Sequence, residues 1–166
     1  AISATGSVNL MLSAQSNTDT VVKYALSPGL LTTDASGVVN VPSMAFDEIE
    51  QLSLKANPGA VDVTASLPSA LPAVVQVFGS GKNDRFQVLG TGGVDNISLG
   101  DASHDSRLGR AQFELSGIQR MWVQTFGDND SIDNISHVPA LIDGGAGNDV
   151  IHNLVNDPTS RLQLLK

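Results

Sequence analysis

The stretch LIDGGAGNDVIHN, residues 141–153, decides how this chain is read. Apolar residues flank a turn of glycines, an asparagine and an aspartate, the pattern of a strand, a tight turn and a second strand. Such a turn either joins two strands or lends oxygens to a metal ion, and by itself it encloses nothing. Whether it recurs is therefore the first question.

It recurs. Period-two apolar runs, each followed by a turn rich in Gly, Asn and Asp, occupy residues 8–21 (VNLMLSAQSNTDTV), 52–64 (LSLKANPGAVDVT) and 74–86 (VVQVFGSGKNDRF). They continue at residues 88–97 (VLGTGGVDNI), 121–132 (MWVQTFGDNDSI) and 140–151 (ALIDGGAGNDVI). Short strands broken by turns that need positive φ predict an all-β fold with little helix. Repetition at roughly 20 residues favours a right-handed parallel β-helix or β-roll-like solenoid of short degenerate coils, stacked at about 4.8 Å. An antiparallel β-sandwich is the alternative, since it also strings short strands at regular spacing. In the solenoid the apolar residue two after each aspartate faces inward, namely Val21, Phe86, Ile97, Ile132 and Ile151. The aligned aspartates, Asp19, Asp62, Asp84, Asp95, Asp130 and Asp149, are irregularly spaced. The two halves also align as tandem copies, with Ile49, Leu52 and Leu54 on Ile118, Met121 and Val123, and GSGKND on GGAGND.

Composition agrees with a folded chain. With 41% hydrophobic residues and a net charge of −8, residues 1–166 suffice for a single domain with a core. The beginning without Met and the ending SRLQLLK suggest a fragment of a larger protein. Inserted loops are expected near 67–73, where two prolines stand, and at 98–111, where SLGDASHDSRLGRA breaks the pattern. The excess of 17 acidic over 9 basic residues disfavours nucleic acid as partner and suits cations. No apolar run is long enough for membrane insertion as a helix. The absence of cysteine excludes disulfides and thiolate metal sites.

Residues 144–152, GGAGNDVIH, fit the nonapeptide G-G-x-G-x-D-x-U-x, in which U is a large apolar residue. The segment resembles the hemolysin-type, or RTX, calcium-binding repeat, whose members are typically extracellular bacterial proteins folded as parallel β-rolls. The resemblance implies Ca²⁺ held by Asp149 and the carbonyls of Gly145 and Gly147. Calcium takes six to eight oxygens, and glycines let carbonyls approach it. The family pattern is not continued by NLVNDPTSR; the nearest partner is GDNDSI, residues 127–132, one coil earlier. Stacking would bring Asp128, Asp130, Asp143 and Asp149 to one edge, whereas GSGKND carries Lys82, whose charge could replace the ion's. The plainer reading is that Asn83, Asn129 and Asn148 adopt left-handed conformations and each following aspartate binds backbone N–H groups. For Asp19, Asp62 and Asp95 the plainer reading is the one expected.

Other chemistry is sparse. His104 between Asp101 and Asp105 lacks an accompanying nucleophile and reads as a solvated loop. His137 sits at a strand entrance and His152 faces outward; neither has ligand spacing. Trp122 alternates outward and could stack on a sugar or lie half-buried. The expectation is a non-catalytic structural or adhesive module of a bacterial extracellular or cell-surface protein, stabilised by calcium. A surface polysaccharide, a protein, or another copy meeting its terminal coils would be its partner. The rival is a carbohydrate-active β-helix enzyme of the lyase or epimerase type, built around Arg107, Arg110 and Arg120. A self-assembling surface or filament protein is the third reading.

Overall fold

The computed structural model describes residues 8–15, 21–27, 30–35, 44–45, 49–57, 59–67, 74–80, 83–108, 111–155 and 162–165. Among them there is no helix. The strands are β1 (Val8–Gln15), β2 (Val21–Ser27), β3 (Leu30–Ala35), β4 (Met44–Ala45), β5 (Ile49–Asn57) and β6 (Ala60–Ser66). Next come β7 (Val74–Phe78), β8 (Arg85–Leu89), β9 (Asn96–Leu99), β10 (Ser106–Leu108) and β11 (Ala111–Ser116). The last are β12 (Arg120–Gln124), β13 (Ser131–Asn134), β14 (Ala140–Asp143), β15 (Val150–Asn153) and β16 (Leu162–Leu165).

The protein is all-β, with its strands in two sheets. The first runs in the order β1-β5-β7-β11-β10-β9-β13-β15 and is mixed; the second runs β16-β14-β12-β8-β6-β2-β3-β4 and is parallel from β16 to β2. From β5 to β9 and again from β11 to β16 the chain alternates between the sheets, so sequence neighbours are rarely hydrogen-bonded neighbours. Parallel partners require such crossovers, because a short turn can only reverse a strand. This pairing departs from the antiparallel sandwich, whose hairpins would join consecutive strands.

The inward faces make the core. Along the second sheet Val63, Phe86, Met121 and Ala140 form one row and Ala65, Val88, Val123 and Ile142 the next, all buried. In the first sheet Leu52, Val75 and Phe113 share a row, as do Ile97, Ile132 and Ile151. Phe86 and Phe113 meet across the core with ring centroids 5.1 Å apart, tying one sheet to the other. Strict alternation of buried with half-exposed or exposed residues in β8 and β12 follows from the period of two. Phe86, Ile97 and Ile132 are buried as the sequence pattern requires, and Ile151 is partly buried against the core. The side chain of Val21 lies outside the described residues.

Two expectations need correction. The tandem-halves alignment fails, because Leu52 and Leu54 belong to the first sheet and Met121 and Val123 to the second. The spacings that stack are 23 residues from Val63 to Phe86, 35 from Phe86 to Met121 and 19 from Met121 to Ala140. The segment 98–111 does not simply leave the fold either. Ser106–Leu108 turn back antiparallel onto β9 and β11, burying Ser106 and Leu108, so the insertion adds strands to the first sheet. Residues 68–73, the other expected loop, lie outside the described residues.

Candidate functional site

The turns 90–95, 125–130 and 144–149 all lead from the second sheet into the first, and each ends in an aspartate that precedes a strand. These aspartates bind across turns. Asp149 Oδ1 accepts the N–H of Asp130 at 3.1 Å, and Asp130 Oδ1 accepts the N–H of Asp95 at 2.8 Å. Asp95 Oδ2 turns inward to the N–H of Thr91 at 2.6 Å. Where the first sheet hands over to the second, Asp84 Oδ1 accepts the N–H of Val61 at 2.6 Å. A buried N–H at a strand entrance needs an acceptor, and a carboxylate one methylene from its backbone reaches it from the adjoining turn. Asn129 Oδ1 likewise reaches the adjoining turn, accepting the exposed N–H of Asn148 at 2.8 Å.

Turn 144–149 lies directly on turn 125–130: Gly127 bridges Ala146, and Ser131 pairs with Val150. Gly147, at φ 149°, is required there, since a Cβ would collide with the carbonyl of Asp128. Of the residues expected to hold calcium, Asp130 and Asp149 are therefore neighbours, with Gly145 and Gly147 in the same pair of turns. Asp128 is exposed at φ 70° and its Oδ1 accepts the N–H of Asn129 at 2.9 Å, while Asp143 Oδ1 accepts the N–H of Gly145 at 3.1 Å. Among the described residues no three acidic, histidine or cysteine side chains converge on one point.

One oxygen stands out. Asp130 is 2% exposed, and its Oδ2 has no hydrogen-bond partner. The cause is local: Thr125 stands where neighbouring turns have Gly90 and Gly144. An added Cβ at either glycine would come within 2.5 Å of the following aspartate's Oδ2, so Thr125 keeps Asp130 out of the pose that Asp95 adopts. The N–H of Phe126, counterpart of Thr91, goes instead to the Thr91 carbonyl at 3.2 Å.

The Asx expectation holds in part. Asn83 is left-handed at φ 60°, but in turn 125–130 Asp128 takes that conformation rather than Asn129, and Asn148 does not adopt it. Asp62 is no turn residue: it lies in β6 and pairs with Arg85, Oδ2 to guanidinium at 2.7 Å and Oδ1 to Nε at 3.0 Å. Asp19 and Lys82 lie outside the described residues.

Two further constellations emerge that sequence reasoning placed incompletely. Asp101 is gripped by the N–H of His137 at 2.8 Å, by the His137 ring Nδ1 at 2.9 Å and by the N–H of Ser103 at 2.8 Å. His104, its sequence neighbour, stands at 3.6 Å. Burial of the Asp101 carboxyl works to raise its pKa but is outweighed by the His137 and Ser103 backbone N–H groups and by the His137 ring, which lower it from 3.8 to about 2. This carboxylate joins the excursion at 101–105 to the turn before β14, beside a cavity of about 340 Å³ floored by Leu115, Ile118 and Met121. No spacing in the sequence links residues 101 and 137. On the outer face of the second sheet, Arg85, Arg120, Trp122 and Leu141 border a groove of about 610 Å³. Comparison with family models, with curated proteins and with solved structures finds no match.

Proposed function

We propose that the chain is a non-catalytic structural or adhesive β-solenoid module of a bacterial extracellular or cell-surface protein, braced by its aspartate column and able to take up calcium there. The observation that carries the reading is the column itself: Asp149 bonds the backbone of Asp130, and Asp130 that of Asp95, so the polar groups of this edge act on the neighbouring turn. Stacked parallel strands and repeated turn chemistry suit a part that provides length and stiffness. The setting outside a bacterial cell rests on the resemblance of GGAGNDVIH to the RTX nonapeptide.

Calcium enters through electrostatics. Like carboxylates at roughly strand spacing repel one another, and Asp130 keeps one buried oxygen without a proton donor. Asp128, Asp130 and Asp149 do not converge as they stand, so uptake of the ion would draw their carboxylates together with glycine carbonyls of both turns into the set of hard oxygen donors it prefers. The ion would bring its charge; the chain would bring these oxygens and a glycine-lined approach.

Thermal melting in millimolar calcium and in excess chelator tests this. The melting temperature rises with calcium, by the equivalent of about 2.7 kcal/mol at a hundredfold excess over Kd. Asp149→Ala lowers the baseline because the N–H of Asp130 loses its acceptor, and it also abolishes the rise; Asp130→Ala weakens the rise. Identical melting of the wild-type chain in both buffers would leave the column a purely structural brace.

A further inference from the structure

We infer that the outer face of the second sheet carries a binding groove for an acidic saccharide, a chain of uronate residues, with Trp122 as stacking platform and Arg120 as carboxylate anchor. The proposal rests on the adhesive reading above, since it names what the module would adhere to.

Register puts the groups together. Arg120 pairs with Arg85 and Trp122 with Gln87 and Leu141, so the two arginines and the indole project from one face of adjoining strands. The groove of about 610 Å³ between them crosses β6, β8, β12 and β14 and so runs along the direction in which strands stack, the geometry a linear polymer needs. In a chain with 9 basic against 17 acidic residues, two adjacent arginines on one face run counter to the general charge.

The two cations differ in availability. Arg85 is neutralised by Asp62 through two hydrogen bonds, whereas the exposed side chain of Arg120 has no acceptor among the described residues. A guanidinium with free donors matches a carboxylate bidentately. Trp122, the sole tryptophan, is half-buried on the outer face, while Met121 and Val123 on either side of it point into the core, and its Nε1 is buried without a hydrogen-bond partner. A rigid indole offers an apolar face to the C–H face of a pyranose. The Arg85–Asp62 pair at the groove's far end offers hydroxyl-binding groups without demanding a second charge.

Trp122 also reports the event, because it is the only indole in the chain. Titration of the whole chain with tetragalacturonate, followed by tryptophan emission, gives a saturable change. Arg120→Ala and Arg120→Gln each weaken half-saturation by about tenfold or more, the loss expected for a charge-assisted contact, while Arg107→Ala on the other sheet leaves it unchanged. Cellotetraose, which lacks the carboxylates, binds as weakly as the Arg120 variants do to the uronate. Poly-glutamate gives no saturable change. Absence of a saturable change with the uronate, an unaltered titration in both Arg120 variants, or equal binding of poly-glutamate overturns the proposal, the last by making the groove an acidic-peptide site. Calcium-dependent melting on the same samples tests the module reading separately. A rise in ultraviolet absorbance from cleaved uronate would overturn the non-catalytic reading while leaving the groove in place.

Discussion

At the scale of single residues the chain uses aspartate as a connector. Asp84, Asp95, Asp130 and Asp149 each accept a backbone N–H, three of them from an adjoining turn or strand, and Asp101 accepts two. Asp101 gives the clearest pH dependence. Its folded pKa is depressed, so its contribution to stability is present in full above the ordinary 3.8 and is lost as pH falls toward about 2. Carbon-detected titration of the carboxyl should place its midpoint near the lower value, and Asp101→Asn should flatten the stability profile across that window. A midpoint at the ordinary value would show that the His137 and Ser103 contacts do not persist in solution. The sequence made the turn aspartates visible through their repeated Gly and Asn context. It hid Asp101–His137 and Asp62–Arg85, because pairs 36 and 23 residues apart carry no local signature.

At the scale of elements, burial graded along one row tells the register. Ile97, Ile132 and Ile151 occupy equivalent places in β9, β13 and β15, yet Ile132 is fully buried and sandwiched between the other two, while Ile151 lies on the terminal strand and is only partly covered. Ile132→Ala should therefore cost about 2 to 5 kcal/mol, and Ile151→Ala clearly less, since cost follows the cavity left and the area buried. Denaturant midpoints for the two variants decide it: equal losses, or a loss at Ile132 below about half a kcal/mol, would mean that the row is misassigned. The inward positions of β8, β9 and β13 were legible because period-two alternation survives in their sequences. The hairpin of β10 was not, since its three residues, Ser-Arg-Leu, are too short for alternation to rise above the polar composition around them. Likewise the apparent doubling of the chain came from strands that resemble one another whichever sheet they join. Alternation marks a strand's inward face but not its sheet.

At the scale of the whole molecule, parallel stacking makes stability depend on neighbours. Each strand of the β13 and β15 kind is held by main-chain bonds to the strand 19 residues away, and its inward residues are covered by that same strand. β13 has neighbours on both sides, β9 and β15, whereas β15 is the last strand of its sheet among the described residues, with its first residue Val150 at 48% exposure and Leu154, just after it, at 62%. A sheet of this kind should open from its thinly covered end, because removing the last strand breaks one ladder while removing an inner one breaks two. Native-state hydrogen exchange is the measurement. Amides of β12 and β13 should exchange only by global unfolding, while those of β15 exchange by a smaller local opening. If the aspartate column braces this end, Asp149→Ala should enlarge the difference by releasing turn 144–149 from Asp130. Uniform protection from β9 to β15, unaffected by that substitution, would mean that the sheets unfold as one unit and that the column adds nothing to the coupling between neighbouring strands.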